Sequence, residues 1–443
     1  MSVDKTTAAS SSASYRFFER RTSITITPSD LRYIPIMLGL LMSVTIFEGY
    51  DATIFHLCTP YIAKTFHLDD LSIGAMASIV RLGGVFSFVV TMVADRIGRR
   101  PVVCATVLLY ALFTLMTALS TGLVSFTVFQ SLTQMFLWAE LGVAVIIICE
   151  ELPDQWRGRG VAFINLVGLL GVVAAGTLYG PIADSRFGWR GMYLVGIAPL
   201  LVVALLRRNI RETKRFLALS RSEVKVPMWQ ELTTNFRTAC RAFRGPYRYR
   251  LLLVAILCNS VGLISAPAVT FFSLYARRDR HWSAPEIGHT VVLAYVIGTL
   301  GHLSSGLMLD RVGRKFTTSL FYVLGAGAIF MLFRTTSHHS MTLALIATIF
   351  AFQGARTSTT TYSAELFPTE IRGTCYGLTV QMLGQISGLI APVAIGALAQ
   401  SFGGLGNAVS AFALGPLIGA IVVIVFAPET RGLTLEELAP SAH

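Results

Sequence analysis

Five ionisable side chains stand inside apolar stretches of this sequence: Glu48, Asp51, Arg81, Glu140 and Arg356. A charge at the centre of a bilayer costs at least about 2.5–3.5 kcal/mol to insert, so each is a candidate for function. Glu48 and Asp51 are three residues apart and share one face of a helix. Two carboxylates beside one arginine leave a proton unassigned, an arrangement suited to taking up and releasing protons. Counted from the basic ends of their stretches, Glu48 and Arg81 both lie roughly 21–22 Å deep. The spacing therefore predicts that Arg81 pairs with the two acids, either to tune them or as a static tie between two helices.

The elements that must position these charges are about twelve apolar stretches, near 33–55, 72–94, 101–121, 125–148, 160–182, 190–206, 250–274, 288–309, 316–334, 341–363, 374–399 and 406–427. Each is long enough to cross about 30 Å of hydrocarbon as a helix. Of the 443 residues 53% are hydrophobic and only 14% charged, where a soluble domain carries about 25%. The fold expected is an all-α membrane protein. The net charge of +12 looks like a nucleic-acid signal. Its placement excludes that reading: with the N-terminus inside, about 27 of the 36 Lys and Arg fall in cytoplasmic tails and loops. Arg277, Arg278 and Arg280 dissent on the outer side, either drawing in an anionic solute or forming a solvated edge.

Two charged loops repeat at one offset. Asp95-Arg96-Ile97-Gly98-Arg99-Arg100 returns 215 residues later as Asp310-Arg311-Val312-Gly313-Arg314-Lys315. Glu150, Pro153, Arg157 and Gly158 return as Glu365, Pro368, Arg372 and Gly373. A duplicated membrane bundle follows, and two halves that can rock against each other point to transport. The divisions expected are a cytoplasmic tail (1–32), a six-helix bundle (33–206), a basic cytoplasmic linker (207–249), a second six-helix bundle (250–427) and a cytoplasmic C-terminal tail (428–443). Within the linker, Trp229, Leu232, Phe236, Cys240 and Phe243 recur at helical spacing among arginines, as in a helix lying on the membrane surface. The offset also sets Glu140 opposite Ala355, beside Arg356, so these charges are expected to face each other across the halves. Glu48, Asp51 and Arg81 instead match Leu263, Ala266 and Val296, and have no charged counterparts.

The paired Asp-Arg-x-Gly loops resemble the signature of the major facilitator superfamily over essentially the whole chain. The resemblance implies two six-helix bundles and a cytoplasmic latch built from Asp95, Arg96, Arg99, Arg100, Glu150, Arg157, Asp310, Arg311, Arg314, Glu365, Arg372 and Glu429. Glu150 with Arg157, and Glu365 with Arg372, look like partners in it, while Asp95 and Asp310 can accept hydrogen bonds from helix N-termini. Glu365-Leu-Phe-Pro-Thr-Glu-Ile-Arg372-Gly and Pro428-Glu429-Thr-Arg431-Gly432 are similar to the sugar-porter and organic-ion branches, with Arg211-Glu212-Thr-Lys-Arg215 as a degenerate counterpart. Cys258-Asn259-Ser260-Val261 stands where sugar porters carry Gln-Leu-Ser, and Gln353-Gly-Ala-Arg356 replaces their Gly-Pro-containing span 10, which disfavours sugar. Glu48-Gly49-Tyr50-Asp51 resembles the Asp-Gly-x-Asp motif of aromatic-acid/proton symporters.

The function expected is proton-coupled uptake of a small organic anion, an aromatic or other carboxylate, by alternating access. Arg356 would receive the carboxylate, Glu48 and Asp51 would carry the proton, Arg81 would tune them, and Glu140 would exchange partners at Arg356. Gln134, Asn259, Gln381, Gln385 and Tyr362 are the remaining candidates for lining the cavity, with packing between helices as the alternative. Two rival readings stand. One is proton-driven export of a cationic or amphipathic compound, for which Gly176-Thr-Leu-Tyr-Gly180-Pro181 resembles part of an antiporter motif. The other is a non-transporting membrane sensor. No nucleophile elbow, phosphate loop or metal-ligand spacing suggests an enzyme, a cofactor or a metal. The six scattered cysteines suggest no disulfide framework, and no signal peptide is evident. The partners expected are a small-molecule substrate, protons and the bilayer, for a monomer in a bacterial inner membrane with both termini cytoplasmic.

Overall fold

The computed structural model describes residues 28–152, 154–213, 217, 247–367, 375 and 377–431, and their regular structure is helical throughout. Hydrocarbon offers no partner for backbone N–H and C=O groups, so a chain of this composition satisfies them within helices. The first half comprises α1 (Pro28–Thr65), α2 (Asp70–Val85, continuing as Ser87–Ile97), α3 (Arg99–Ala118), α4 (Leu123–Glu151), α5 (Asp154–Ala183) and α6 (Gly188–Leu206). The second comprises α7 (Arg248–Arg278), α8 (Ala284–Gly298, continuing as Leu300–Arg311), α9 (Arg314–Arg334), α10 (His338–Glu365), α11 (Ile386–Leu398) and α12 (Leu405–Ala411, continuing as Leu414–Phe426).

Ten of these helical paths are long and apolar enough to cross a membrane. The other two depart from that standard for visible reasons. The second half of α10 carries Gln353, Arg356 and a run of Ser and Thr. α11 is entered through a π-helical stretch, Gly377–Met382, and a tight turn, Leu383–Gln385. Irregular backbone at membrane depth must find partners inside the protein. Asn259 supplies them: its amide donates to the Leu383 carbonyl at 2.8 Å and its oxygen accepts from the Ser387 N–H at 2.7 Å. Outward faces such as Leu414, Ile418, Ile421 and Val425 on α12 expose apolar side chains to lipid. This is an integral membrane protein.

α1 packs on α5 and α6, and α3 on α4, within the first half; α10 holds α7, α8 and α9 together in the second. The halves meet along α2–α11, α5–α8 and α1–α7. These seams need glycine. A Cβ built on Gly74 would lie 2.2 Å from the Pro392 carbonyl oxygen, and one on Gly288 would lie 2.2 Å from that of Gly176. A Cβ on Gly180 would lie 2.8 Å from the Pro285 ring. Such small-residue contacts let helix backbones touch, and the Gly176–Pro181 stretch takes part in them. They lie toward the end carrying Asp70 and Arg278, called here the far end. The opposite end, with Gly98 and Gly313, is the motif end.

Candidate functional site

α1 brings Glu48 and Asp51 to the centre, but they face different neighbours. Asp51 is 1% exposed and turns toward α4. Its Oδ2 accepts a long hydrogen bond from Gln134 Nε2 (3.4 Å), and the Gln134 oxygen accepts from Trp138 Nε1 at 3.2 Å. Gln130 lies beside the same carboxyl, fully buried. Asp51 Oδ1 is buried without a partner. Glu48, one turn nearer the motif end, is only partly buried and lies within electrostatic reach of Arg356 and Glu140. Arg356 is exposed, and among the described residues it has no ion-pair partner. His302, also within its reach, bonds Thr357 at 2.6 Å. An acid and a free cation thus face one another across the two halves.

Glu140 departs from expectation. It does not oppose Arg356; its carboxylate is held by the Arg207 guanidinium and by the Thr106 hydroxyl at 2.6 Å. Arg207 is 0% exposed and donates onward to the Leu40 carbonyl at 3.2 Å. This buried knot ties α1, α3, α4 and the end of α6 within one half. The 215 offset matches backbone positions, not the direction of a side chain, and a nearer cation on the same half wins. Arg207, placed by the sequence in a linker, is the residue that reading missed. A buried acid needs a buried partner, and the arginine at the end of the neighbouring span was the available signal.

Arg81 does not meet Glu48 or Asp51 either. The four-residue turn between Thr65 and Asp70 levels the far ends of α1 and α2. Arg81, eleven residues past Asp70, therefore stands beside Ile54–His56, about 9 Å toward the far end from Glu48. Counting from the motif end misled because α1 runs from Pro28 to Thr65, well beyond the expected 33–55. The guanidinium crosses to the second half, where a Cβ on Gly388 would sit 2.5 Å from its Nη1.

Of the other proposed cavity residues, Asn259 is spent on the broken entry to α11. Tyr362 is buried at the motif end with its hydroxyl donating to the Pro428 carbonyl. Gln385 is exposed and reaches its own segment, the Val380 carbonyl at 3.5 Å. The side chains of Asp95, Arg157 and Gln381 lie outside the described residues, as do Arg372, residues 1–27 and the basic helix at 229–243.

The motif end carries the same cluster twice. Gly98 and Gly313 adopt φ of 110° and 113°, each turning the chain into the N-terminus of the next helix. Glu212 caps α3 through the N–H groups of Arg99 (3.0 Å) and Arg100 (3.2 Å); Glu429 caps α9 through Arg314 (2.9 Å) and Lys315 (3.1 Å). Arg99 pairs with Glu150 at 2.9 Å and Arg314 with Glu365 at 2.8 Å. Thr213 and Thr430 donate to the second oxygens of those acids, both at 2.5 Å. The described partners of Glu150 and Glu365 are Arg99 and Arg314; the expected pairs with Arg157 and Arg372 fall outside the described residues. Among the described residues Asp310 caps no helix; it is largely exposed, 3.8 Å from Arg314. Arg96 is partly buried, while Arg100 and Arg311 are exposed, Arg100 donating to the Arg208 carbonyl.

Burial alone would push Glu429 up, but the N–H groups of Arg314, Arg431, Lys315 and Thr430 outweigh it and hold the carboxyl below the usual range. A carboxyl held down in the folded state contributes stability above the usual range and loses it as pH falls through its folded value. Glu429→Gln should therefore lower the unfolding temperature modestly at neutral pH. The gap to the parent, followed by thermal unfolding in detergent, should close below about pH 4.

At the far end the three arginines neither float nor merely attract solute. Arg278 pairs with Asp70 at 2.5 Å and Arg277 with Asp184 at 3.4 Å, both bonds joining the halves. Asp184 also accepts from Tyr61 at 2.5 Å. Arg280 turns back to the Tyr275 hydroxyl. Exposed pairs are worth at most about 1 kcal/mol each. Asp70→Asn with Asp184→Asn should shift the population toward a far-end-open state by up to roughly 30-fold, read as spin-label distances across the far end.

Two helical halves, closed at one end around a central charged space and carrying matched ionic clusters at the other, define a membrane transporter. A model of the Major Facilitator Superfamily matches residues 41–392, and the chain belongs to that family. It is 26% identical over 407 residues to the 3-(3-hydroxy-phenyl)propionate transporter of Escherichia coli K12, covering 90% of this chain and 96% of that one. It is 25% identical over 423 residues to the niacin transporter NiaP of Acinetobacter baylyi, covering 88% and 93%. In fold it resembles the inward open xylose transporter XylE from E. coli, with a TM-score of 0.73 at 16% identity over 90% of this chain and 98% of the other. Its work is transport of small molecules across a membrane rather than catalysis.

Proposed function

We propose that this chain takes up a small organic anion, an aromatic carboxylate, together with protons. The observation that carries the reading is Arg356, a cation at membrane depth, exposed to the central space and without an ion-pair partner among the described residues. A planar guanidinium of this kind is suited to bidentate pairing with a carboxylate. Relatives named for phenylpropionate and niacin transport support the substrate class. Glu48 faces Arg356 and exchanges it for substrate, while Asp51, screened from the centre and bonded by Gln134, carries the coupling proton.

The charge distribution supports a cytoplasmic motif end and cytoplasmic termini. With that orientation the latching of the outer end by Arg278–Asp70 and Arg277–Asp184 supports an inward-facing reading, and among the described residues the pairs Arg99–Glu150 and Arg314–Glu365 each lie within one half. Substrate at Arg356 neutralises the charge that Glu48 otherwise faces, which loosens the attraction across the halves and lets them rock. The test of coupling is Asp51→Asn in proteoliposomes. It should abolish accumulation driven by a proton gradient and keep exchange of internal for external substrate. Accumulation equal to the parent's would remove Asp51 from the proton path.

A further inference from the structure

We propose that Arg81, His56 and Tyr295 form a second anion site, on the far-end side of Glu48, which holds the substrate's carboxylate before it reaches Arg356. The inference rests on the anionic-substrate reading above and adds a step to it. Arg81 is a charged group at membrane depth, and among the described residues it has neither an ion pair nor a side-chain hydrogen bond. The ionisable groups within its electrostatic reach are the Tyr295 phenol and the His56 ring, and neither is a carboxylate. A cation held there without a counter-ion is costly, and arginines at such depth ordinarily pair or mark a solute path.

A small cavity lies against its two neighbours, His56 and Tyr295. His56 and Thr53 of α1 and Tyr295 of α8 supply its polar wall, while Phe272, Val291 and Ile349 supply an apolar one. His56 Nδ1 is buried there without a hydrogen-bond partner among the described residues. Gly388 completes the place: its missing side chain is what lets the guanidinium lie against α11. The site thus offers a guanidinium and polar groups to a carboxylate. By helix rise, Arg81 lies roughly 16 Å from the far end and Arg356 roughly 27 Å. A small aromatic acid cannot bridge that gap, so its carboxylate meets the two arginines in turn.

Arginine-specific labelling tests this on the full chain in lipid nanodiscs. Phenylglyoxal would be applied with and without benzoate or 3-phenylpropionate, using benzamide as the uncharged control, and each arginine's peptide quantified by mass spectrometry. The carboxylates should slow labelling of both Arg81 and Arg356 several-fold, and benzamide should not. Protection at Arg81 should persist in Arg356→Gln. Gly388→Ala, which displaces the guanidinium without removing its charge, should weaken protection at Arg81 and leave it at Arg356. Protection of Arg356 alone would overturn the second site and leave the proposed function standing. An Arg81 that resists the reagent even without carboxylate would overturn it too, because the site would be off the solute path. Protection at neither arginine would sink both readings.

Discussion

Arg356→Ala is expected to abolish uptake while the protein still reaches the membrane. A bidentate, charge-assisted pair with a carboxylate supplies about 3 kcal/mol or more, so its loss should cost at least roughly 100-fold in transport at limiting substrate. Arg356 makes no ion pair in the folded protein among the described residues, so stability should barely change. Arg356→Lys should recover only part of the activity, because an ammonium keeps the charge and loses the fork. Initial uptake rates, normalised to protein in the membrane, check both. Normal uptake by Arg356→Ala would remove the residue from the substrate path.

The second large effect falls on stability. Arg207→Ala strands the Glu140 carboxylate, which is 2% exposed, with the Thr106 hydroxyl as its one remaining partner among the described residues. Breaking a buried pair from one side costs about 3–5 kcal/mol. The variant should be poorly recovered and unfold at a markedly lower temperature. Replacing both charges, as Glu140→Leu with Arg207→Leu, should cost much less, since a buried pair contributes little net stability over an apolar substitute. Thermal unfolding of the three proteins in one detergent decides it. If Glu140 were instead a moving bridge to Arg356, Arg207→Ala would leave the unfolding temperature unchanged and Glu140→Gln would alter only the transport cycle.

The contrast between these arginines shows what was legible in the sequence. Apolar length and the 215-residue repeat carry the helical spans, the two halves and the positions of both ionic clusters, because those depend on backbone registration. The repeat even marks the Glu-Thr pair at Glu429–Thr430, although its counterpart at Glu212–Thr213 stands 217 residues earlier. Side-chain direction is another matter. Glu140 and Arg356 occupy matching levels, yet one turns inward to α3 and α6 and the other to the central space. Arg81 was misplaced by a helix end: with ten additional residues at the far end of α1, its neighbours lie about 9 Å, nearly two turns, beyond Glu48. Asn259 and Tyr362 are polar for the backbone's sake, at the broken entry to α11 and at Pro428, and a span read alone cannot distinguish that from a cavity lining.

The central claim, a carboxylate received at Arg356 and moved with protons, is tested most directly by recording proton movement during transport. Proteoliposomes loaded with a pH-sensitive dye would be offered aromatic carboxylates and, separately, lipophilic cations. At least one carboxylate should acidify the lumen in parent proteoliposomes and leave it unchanged with Arg356→Ala. Proton movement in response to cations alone, with every carboxylate inert, would contradict the account.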